Sequence, residues 1–247
     1  MSAPAQPASF LPGGATTKPH SIGALLSLSL RRRDGRRAVS AVVVMLFVAS
    51  IGLFAAPAVT DLIAKWHQHE LRSQFTNPAL KTEYRTGNLP IGSDLTQLVA
   101  DTSQVHINVL VVQGTTPSAL EAGAGHYTHT PLPCYQGNVG IAGHRTTYGR
   151  PFNKINLMHA GDTVKLITPI GTCSYQVVSA FDNHSNPWVV APNDFSVVSQ
   201  QGVLGSGHWL TLTSCNPPGS AAQRIVLRLK MISSTVSEPS SALAGKG

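Results

Sequence analysis

The feature that most constrains this chain is an uncharged run of 22 residues, 38–59, reading AVSAVVVMLFVASIGLFAAPAV. As a helix rising about 1.5 Å per residue, it is long enough to cross a hydrocarbon core of about 30 Å. Arg31, Arg32, Arg33, Arg36 and Arg37 sit directly before it, which argues against a buried core helix. Positive charge stays on the cytoplasmic side, so the run predicts a single-pass anchor with the N-terminus inside and the remainder outside the cell. A cleaved signal peptide is the alternative. Its apolar region is normally shorter, and Ala55-Ala56-Pro57 makes a poor cleavage site because proline follows at once.

Charge follows the same division. The formal net charge is +7, but six basic residues and one acid lie before residue 60, against twelve basic and ten acidic residues after it. The basicity therefore belongs to the tail. No basic patch interleaved with aromatics occurs in the remainder, which argues against a nucleic-acid partner. The sequence divides into a disordered basic cytoplasmic tail (1–37), a transmembrane anchor (38–59), a stalk (60–88), a folded domain (89–232) and a flexible tail (233–247). Residues 25–30 are apolar but too few to span a bilayer. Residues 60–74 favour helix until Asn77-Pro78 stops it. His67 and His69 fall there two residues apart, on different helix faces, which disfavours a metal site.

From about Leu89 the texture becomes short β-rich runs separated by turn residues. Residues 105–112, 138–142, 163–168, 173–179, 189–190, 209–213 and 224–231 read as strands, with a hairpin turn at Pro169-Ile170-Gly171-Thr172. Residues 116–122 and 193–200 are long enough for a helical turn or two. Seven short strands with turn punctuation predict an all-β sandwich or barrel.

Three cysteines follow the anchor, Cys134, Cys173 and Cys215, with no CxxC spacing to suggest a zinc ribbon or a thioredoxin-type site. An odd number in an exported domain leaves at least one free thiol, unless it pairs between molecules. Cys215 ends a β run, in Thr211-Leu212-Thr213-Ser214-Cys215-Asn216-Pro217-Pro218. A strand end is a rigid place to present a nucleophile, although a lone cysteine is most often a small buried hydrophobe. His144 ends another apolar run, in Gly140-Ile141-Ala142-Gly143-His144-Arg145-Thr146-Thr147-Tyr148-Gly149. An imidazole there can exchange a proton with a thiol and then protonate a leaving amine; alternatively it is a solvated loop residue. Arg224 opens the last run, where a guanidinium can stabilise an oxyanion. Strand alternation places Arg228 on the same face, as its rival, and either could be a surface arginine.

In combination these segments resemble the sortases, and more narrowly the class E sortases of actinobacteria. Thr211-Leu212-Thr213-Ser214-Cys215 is similar to the TLxTC signature. Residues 137–149, continued by Phe152 and Gly161-Asp162, resemble the class E block around the catalytic histidine. Gln223-Arg224 falls where the class carries its arginine, and Gly125-His126-Tyr127 resembles the segment before the histidine loop. The similarity covers residues 95–231. It implies an eight-stranded β-barrel with one or two short helices after the anchor. It implies a cysteine transpeptidase in which Cys215 cleaves an LAxTG- or LPxTG-like sorting signal at Thr–Gly and forms a thioacyl-enzyme. A cell-wall amine from a peptidoglycan precursor, of the lipid II kind, would then resolve it. His144 would be the acid/base, and Arg224 would position the signal. Thr213, Ser214, Tyr148 and Arg145 would contact substrate, with packing on the loop as the alternative for Tyr148. The partners implied are surface proteins bearing a C-terminal sorting signal, with no metal or organic cofactor.

Three features depart from the family pattern. Ser214 stands where threonine is usual, which keeps the hydroxyl and loses a methyl. Val99-Ala100-Asp101 replaces the Ile-Pro of the first strand. Cys134 and Cys173 lie outside the motif, and the sequence leaves open whether they pair. The same site residues would also serve a thiol peptidase that releases the signal to water. A third reading is a membrane-tethered β domain that binds cell-wall peptides without chemistry. His126 and His129, three apart in a Gly/Pro-rich loop, read as structural. Asp182 and Asp194 read as turn or cap residues.

Overall fold

The structure, a computed structural model, describes residues 33–237, so the first part of the basic tail, residues 25–30 and the last ten residues lie outside it. Two compact units are present, one ending at Phe54 and one beginning at Ala55. Helix α1 (Arg33–Phe75) contains the apolar run, is long and apolar enough to cross a membrane, and has Pro57 inside it. Its large side chains from Val42 to Phe54 are exposed, so this apolar stretch is not covered by a protein core.

The second unit is built around a barrel. After α2 (Pro78–Thr86) come β1 (Asp94–Asp101), β2 (His106–Gln113), α3 (Pro117–Ala122), β3 (Ala124–His126) and β4 (Gly137–Gly143). Then follow β5 (Thr163–Thr168), β6 (Gly171–Val177), the small pair β7 (Ala180–Phe181) and β8 (His184–Ser185), and β9 (Trp188–Val190). A single turn, α4 (Val203–Ser206), precedes β10 (His208–Asn216) and β11 (Gln223–Ser234). The order β10-β4-β3-β2-β1-β5-β6-β11 closes on itself because β11 also pairs with β10, while β9 adds to the outer part of β11. The eight-stranded barrel predicted from the sequence is therefore present. The β2–β3 and β4–β10 pairs are parallel and the others antiparallel. Closure leaves the barrel strands no long open edge.

The barrel interior is apolar, with Leu98, Ile141, Leu166, Leu210, Leu212 and Leu227 fully buried among their neighbours. Alternation then turns Thr211, Thr213 and Cys215 outward from β10, and Arg224, Val226 and Arg228 outward from β11. Cys134 and Cys173 are joined by a disulfide, 39 residues apart in sequence, which ties the segment before β4 to β6 and leaves Cys215 as the free thiol.

Residues 60–88, expected to be a stalk, lie on the barrel. Asn77 does end one helix and also caps the next: its side chain accepts from Ala79 N, with Pro78 in the first turn of α2. Leu71, Leu80 and Tyr84 are buried, and the Tyr84 hydroxyl donates to Pro133 O at 2.7 Å. Strand β1, not among the runs that read as strands by pattern and placed only by the resemblance near Val99-Ala100-Asp101, pairs with both β2 and β5. Its sequence, DLTQLVAD, has few β-branched residues, so closure of the barrel rather than local propensity makes it a strand.

Candidate active site

Cys215 lies near the end of β10, where its Cα partner across the antiparallel ladder is Arg224 of β11. On the other side of β10 runs β4, in parallel, with Thr213 opposite Ala142. His144 is the first residue beyond β4. The register thus brings three residues distant in sequence to one end of three adjacent strands. Cys215, His144 and Arg224 line one cavity of about 370 Å³, together with Thr213, Ser214 and Tyr127. Cys215, His144 and Arg224 are all half-buried.

Local chemistry explains the turn after β4. A side chain at Gly143 would place its Cβ 2.6 Å from the Phe152 ring, so glycine lets Phe152 pack beneath the strand end. Phe152 N donates back to His144 O at 3.1 Å and closes the loop. Ser214 Oγ donates to Gly143 O at 2.7 Å, tying β10 to β4 beside both His144 and Cys215. The hydroxyl that survives the threonine-to-serine departure is the group that makes this bond. Thr213 Oγ1 lies 3.0 Å from the Tyr127 hydroxyl, on the cavity wall.

Residues 148–150 carry three successive positive φ values, 50° at Tyr148, 75° at Gly149 and 49° at Arg150. For the two non-glycine residues this backbone costs about 1–3 kcal/mol each, and it persists only where surroundings hold it. The Tyr148 ring lies 5.1 Å from the His144 ring, tilted by 34°, and its hydroxyl donates to Glu121 Oε1 at 3.1 Å. Burial lowers the His144 pKa, and the Glu121 carboxylate opposes that shift. The hydrogen bond to Glu121 leads the causes that raise the Tyr148 pKa. Glu121 was not singled out in the sequence; nothing in its short helix distinguishes it from a solvated acid.

The arginines of these segments, Arg145, Arg224 and Arg228, are already engaged. Arg145 is buried and donates to Cys215 O at 3.2 Å, Asn216 Oδ1 at 2.8 Å, Asn156 Oδ1 at 2.8 Å and Asn153 O at 3.4 Å. It does not line the cavity: expected to contact substrate, it instead braces the chain around Cys215 from behind. Tyr148 likewise backs His144 and faces a separate cleft of about 540 Å³ beside α1. Arg224 donates to Ala221 O at 3.0 Å and Gln223 O at 2.9 Å, which holds its guanidinium at the cavity edge. Arg228, its rival, is buried, donates to Thr211 Oγ1 at 2.6 Å and Val197 O at 3.0 Å, and sits between Phe181 and Trp188. His126 is also fully buried: Nδ1 is 2.7 Å from Gln113 Oε1, and Nε2 donates to Pro131 O at 2.9 Å. Burial pushes its pKa down to about 4, as befits a structural imidazole held neutral. Asp194 caps the short 3₁₀ turn by accepting from Ser196 N, and Asp182 occupies the turn between β7 and β8 with φ of 49°.

The sortase domain family matches residues 101–232, more than half of the chain, and the chain belongs to the sortase family, whose members are cysteine transpeptidases. It is similar to sortase SrtE1 of Streptomyces coelicolor, 31% identical over 52% of this chain and 38% of that relative. Sortase E from Streptomyces avermitilis has a similar structure, with a TM-score of 0.51 and 28% identity, covering 64% of this chain and 97% of the other. A Clostridium perfringens sortase D5 transpeptidase shares the fold, with a TM-score of 0.55 at 22% identity over 69% and 99% of the two chains. These likenesses support a class E sortase. The matches span between 38% and 63% of the length of the curated relatives.

Proposed function

We propose that this chain is a membrane-anchored transpeptidase that joins surface proteins to a cell-wall amine outside the cell. The observation that carries the reading is the register: Cys215 opposite Arg224, with His144 in the same half-buried cavity. Cys215 attacks the carbonyl of the Thr–Gly bond in an LAxTG- or LPxTG-like signal. The C–N bond breaks, His144 gives a proton to the departing glycine amine, and the threonine carbonyl remains as a thioester. An incoming amine, from a lipid II-like peptidoglycan precursor, attacks the thioester and loses a proton to His144, and the thiolate leaves. Arg224 stabilises the oxyanion at each tetrahedral stage. Burial makes protonated His144 a stronger acid toward the leaving amine, while Glu121 keeps the proton from being lost too readily. Arg145 holds the Cys215 carbonyl and fixes the strand end, and Thr213 and Ser214 shape the wall that receives the signal. The anchor at residues 38–59 holds the domain near membrane-borne donors and acceptors, with the basic residues before it on the cytoplasmic side.

The test uses the full chain in lipid nanodiscs. It is incubated with fluorogenic LAxTG or LPxTG peptides, each with and without an oligoglycine or diaminopimelate-type amine. Amine-ligated product that disappears in Cys215→Ala supports the transpeptidase. Cleavage without ligation supports a peptidase instead, and no turnover with an unreactive Cys215 supports a binding domain.

A further inference from the structure

Within the second unit, the last turns of α1 lie against the barrel, and five residues on one side of it make most of the contacts. Asp61, Ala64, Gln68, Leu71 and Phe75 recur at spacings of three and four, which puts them on one side. Leu71 packs with Leu110, Val112 and Ala119. Gln68 spans two elements with one amide: its Nε2 donates to Leu110 O at 3.2 Å and to Ala122 O at 2.7 Å, and its Oε1 accepts from Leu110 N at 2.7 Å. Ala119 and Ala122 belong to α3, the helix that carries Glu121. Two turns earlier, Asp61 Oδ1 accepts from Gly149 N at 2.9 Å, and Oδ2 accepts from Arg150 at 2.7 Å. Buried Ala64 sits against Gly149.

These contacts meet at Tyr148. Asp61 grips the strained turn that follows it, and Gln68 with Leu71 grips the helix whose Glu121 accepts its hydroxyl bond. Tyr148 in turn lies against His144. We infer that Asp61 and Gln68 are positioning residues for His144, acting through the 148–150 turn and through α3, so that residues 60–75 form a working part of the catalytic site. This rests on the reading of His144 as the acid/base. The groups around His144 are Tyr148 on its own loop, Glu121 on α3, and Cys215, Arg224 and Tyr127 across the cavity. Asp61 itself lies outside that cavity. An effect of its removal on His144 must therefore travel through the turn.

The test compares full-length wild type, Asp61→Ala, Asp61→Glu and Gln68→Ala in nanodiscs. Thermal unfolding, kcat and KM for peptide plus amine, and the His144 titration by NMR with a labelled imidazole are all measured. Asp61→Ala is expected to lower kcat about tenfold with little change in KM or unfolding midpoint, because a displaced acid/base costs rate rather than binding. Its His144 pKa should rise toward the ordinary histidine value, since a loosened Tyr148 leaves the ring less buried. Asp61→Glu, which keeps the carboxylate, should recover part of kcat, and Gln68→Ala should shift His144 in the same direction. A wild-type His144 titration in Asp61→Ala overturns the inference, and so does a loss of kcat matched by loss of the folded state. If the wild type shows no amine-dependent turnover, the transpeptidase reading fails, while the His144 titration still decides the positioning.

Discussion

Arg224 and Arg228 stand four residues apart on one face of one strand, yet they occupy opposite kinds of environment. Arg228 lies under the loop that follows β6, covered by Phe181 and Trp188, with its guanidinium bonded to Thr211 and Val197. Burial pushes its pKa down to about 10, still charged at neutral pH. Arg224 lies about 13 Å further along the strand, half-buried at the mouth of the Cys215 cavity. It donates to Ala221 O in the adjoining loop and to Gln223 O at the start of its own strand. The β10 partners follow the same gradient: Thr211 is sealed against Asn138 and Arg228, while Cys215 opens to the cavity. The middle of the β10–β11 pair is buried under the covering loop, while its end opens to the cavity.

Substitutions at the two arginines should separate these roles. Arg224→Ala is expected to lower kcat about 10²–10³-fold, the scale of losing an oxyanion-stabilising group, with no change in the thermal unfolding midpoint. A fall below threefold would remove Arg224 from the chemistry. Arg228→Met keeps the bulk but gives up two hydrogen bonds and the aromatic sandwich. It should destabilise the fold by about 1–2 kcal/mol in urea unfolding, with kcat within about twofold of wild type. If Arg228→Met instead lost activity at full stability, the buried middle would belong to the site and the contrast would collapse.

A smaller effect concerns the proton. Glu121 raises the His144 pKa against the lowering by burial, so Glu121→Gln should let that pKa fall further. The protonated form is needed to release the amine, so the alkaline limb of the kcat/KM profile should move to lower pH. This is opposite in sign to the shift expected from Asp61→Ala. An unmoved limb would mean that the limb does not report His144.

The chemistry was more legible in the sequence than its support. Strand ends at Cys215 and His144 could be read because an apolar run meets a polar turn at each, and the family resemblance joined them. Alternation does not separate Arg224 from Arg228, since both point to the same side; which of them is buried depends on the covering loop. The resemblance implies a substrate contact for Arg145, and its partners Asn153, Asn156 and Asn216 converge only after folding. The pairing of Cys134 with Cys173 depends on bringing their Cα atoms to 5.7 Å, a distance no spacing rule supplies. The contacts of residues 60–75 are hidden in the sequence for a related reason. The helical face at Asp61, Ala64, Gln68 and Leu71 is visible in the sequence, but polar Asp61 and Gln68 make it look solvated until their backbone partners are known.

The most direct measurement is the intact mass of the full-length chain, followed by peptide mapping, after mixing with an LAxTG peptide in the absence of amine. A thioacyl-enzyme should appear as a mass increase equal to the peptide up to threonine, located on Cys215, discharged by added amine and absent in Cys215→Ala. Release of the glycine fragment with no adduct on Cys215, or an adduct on any other residue, would contradict covalent catalysis at this site.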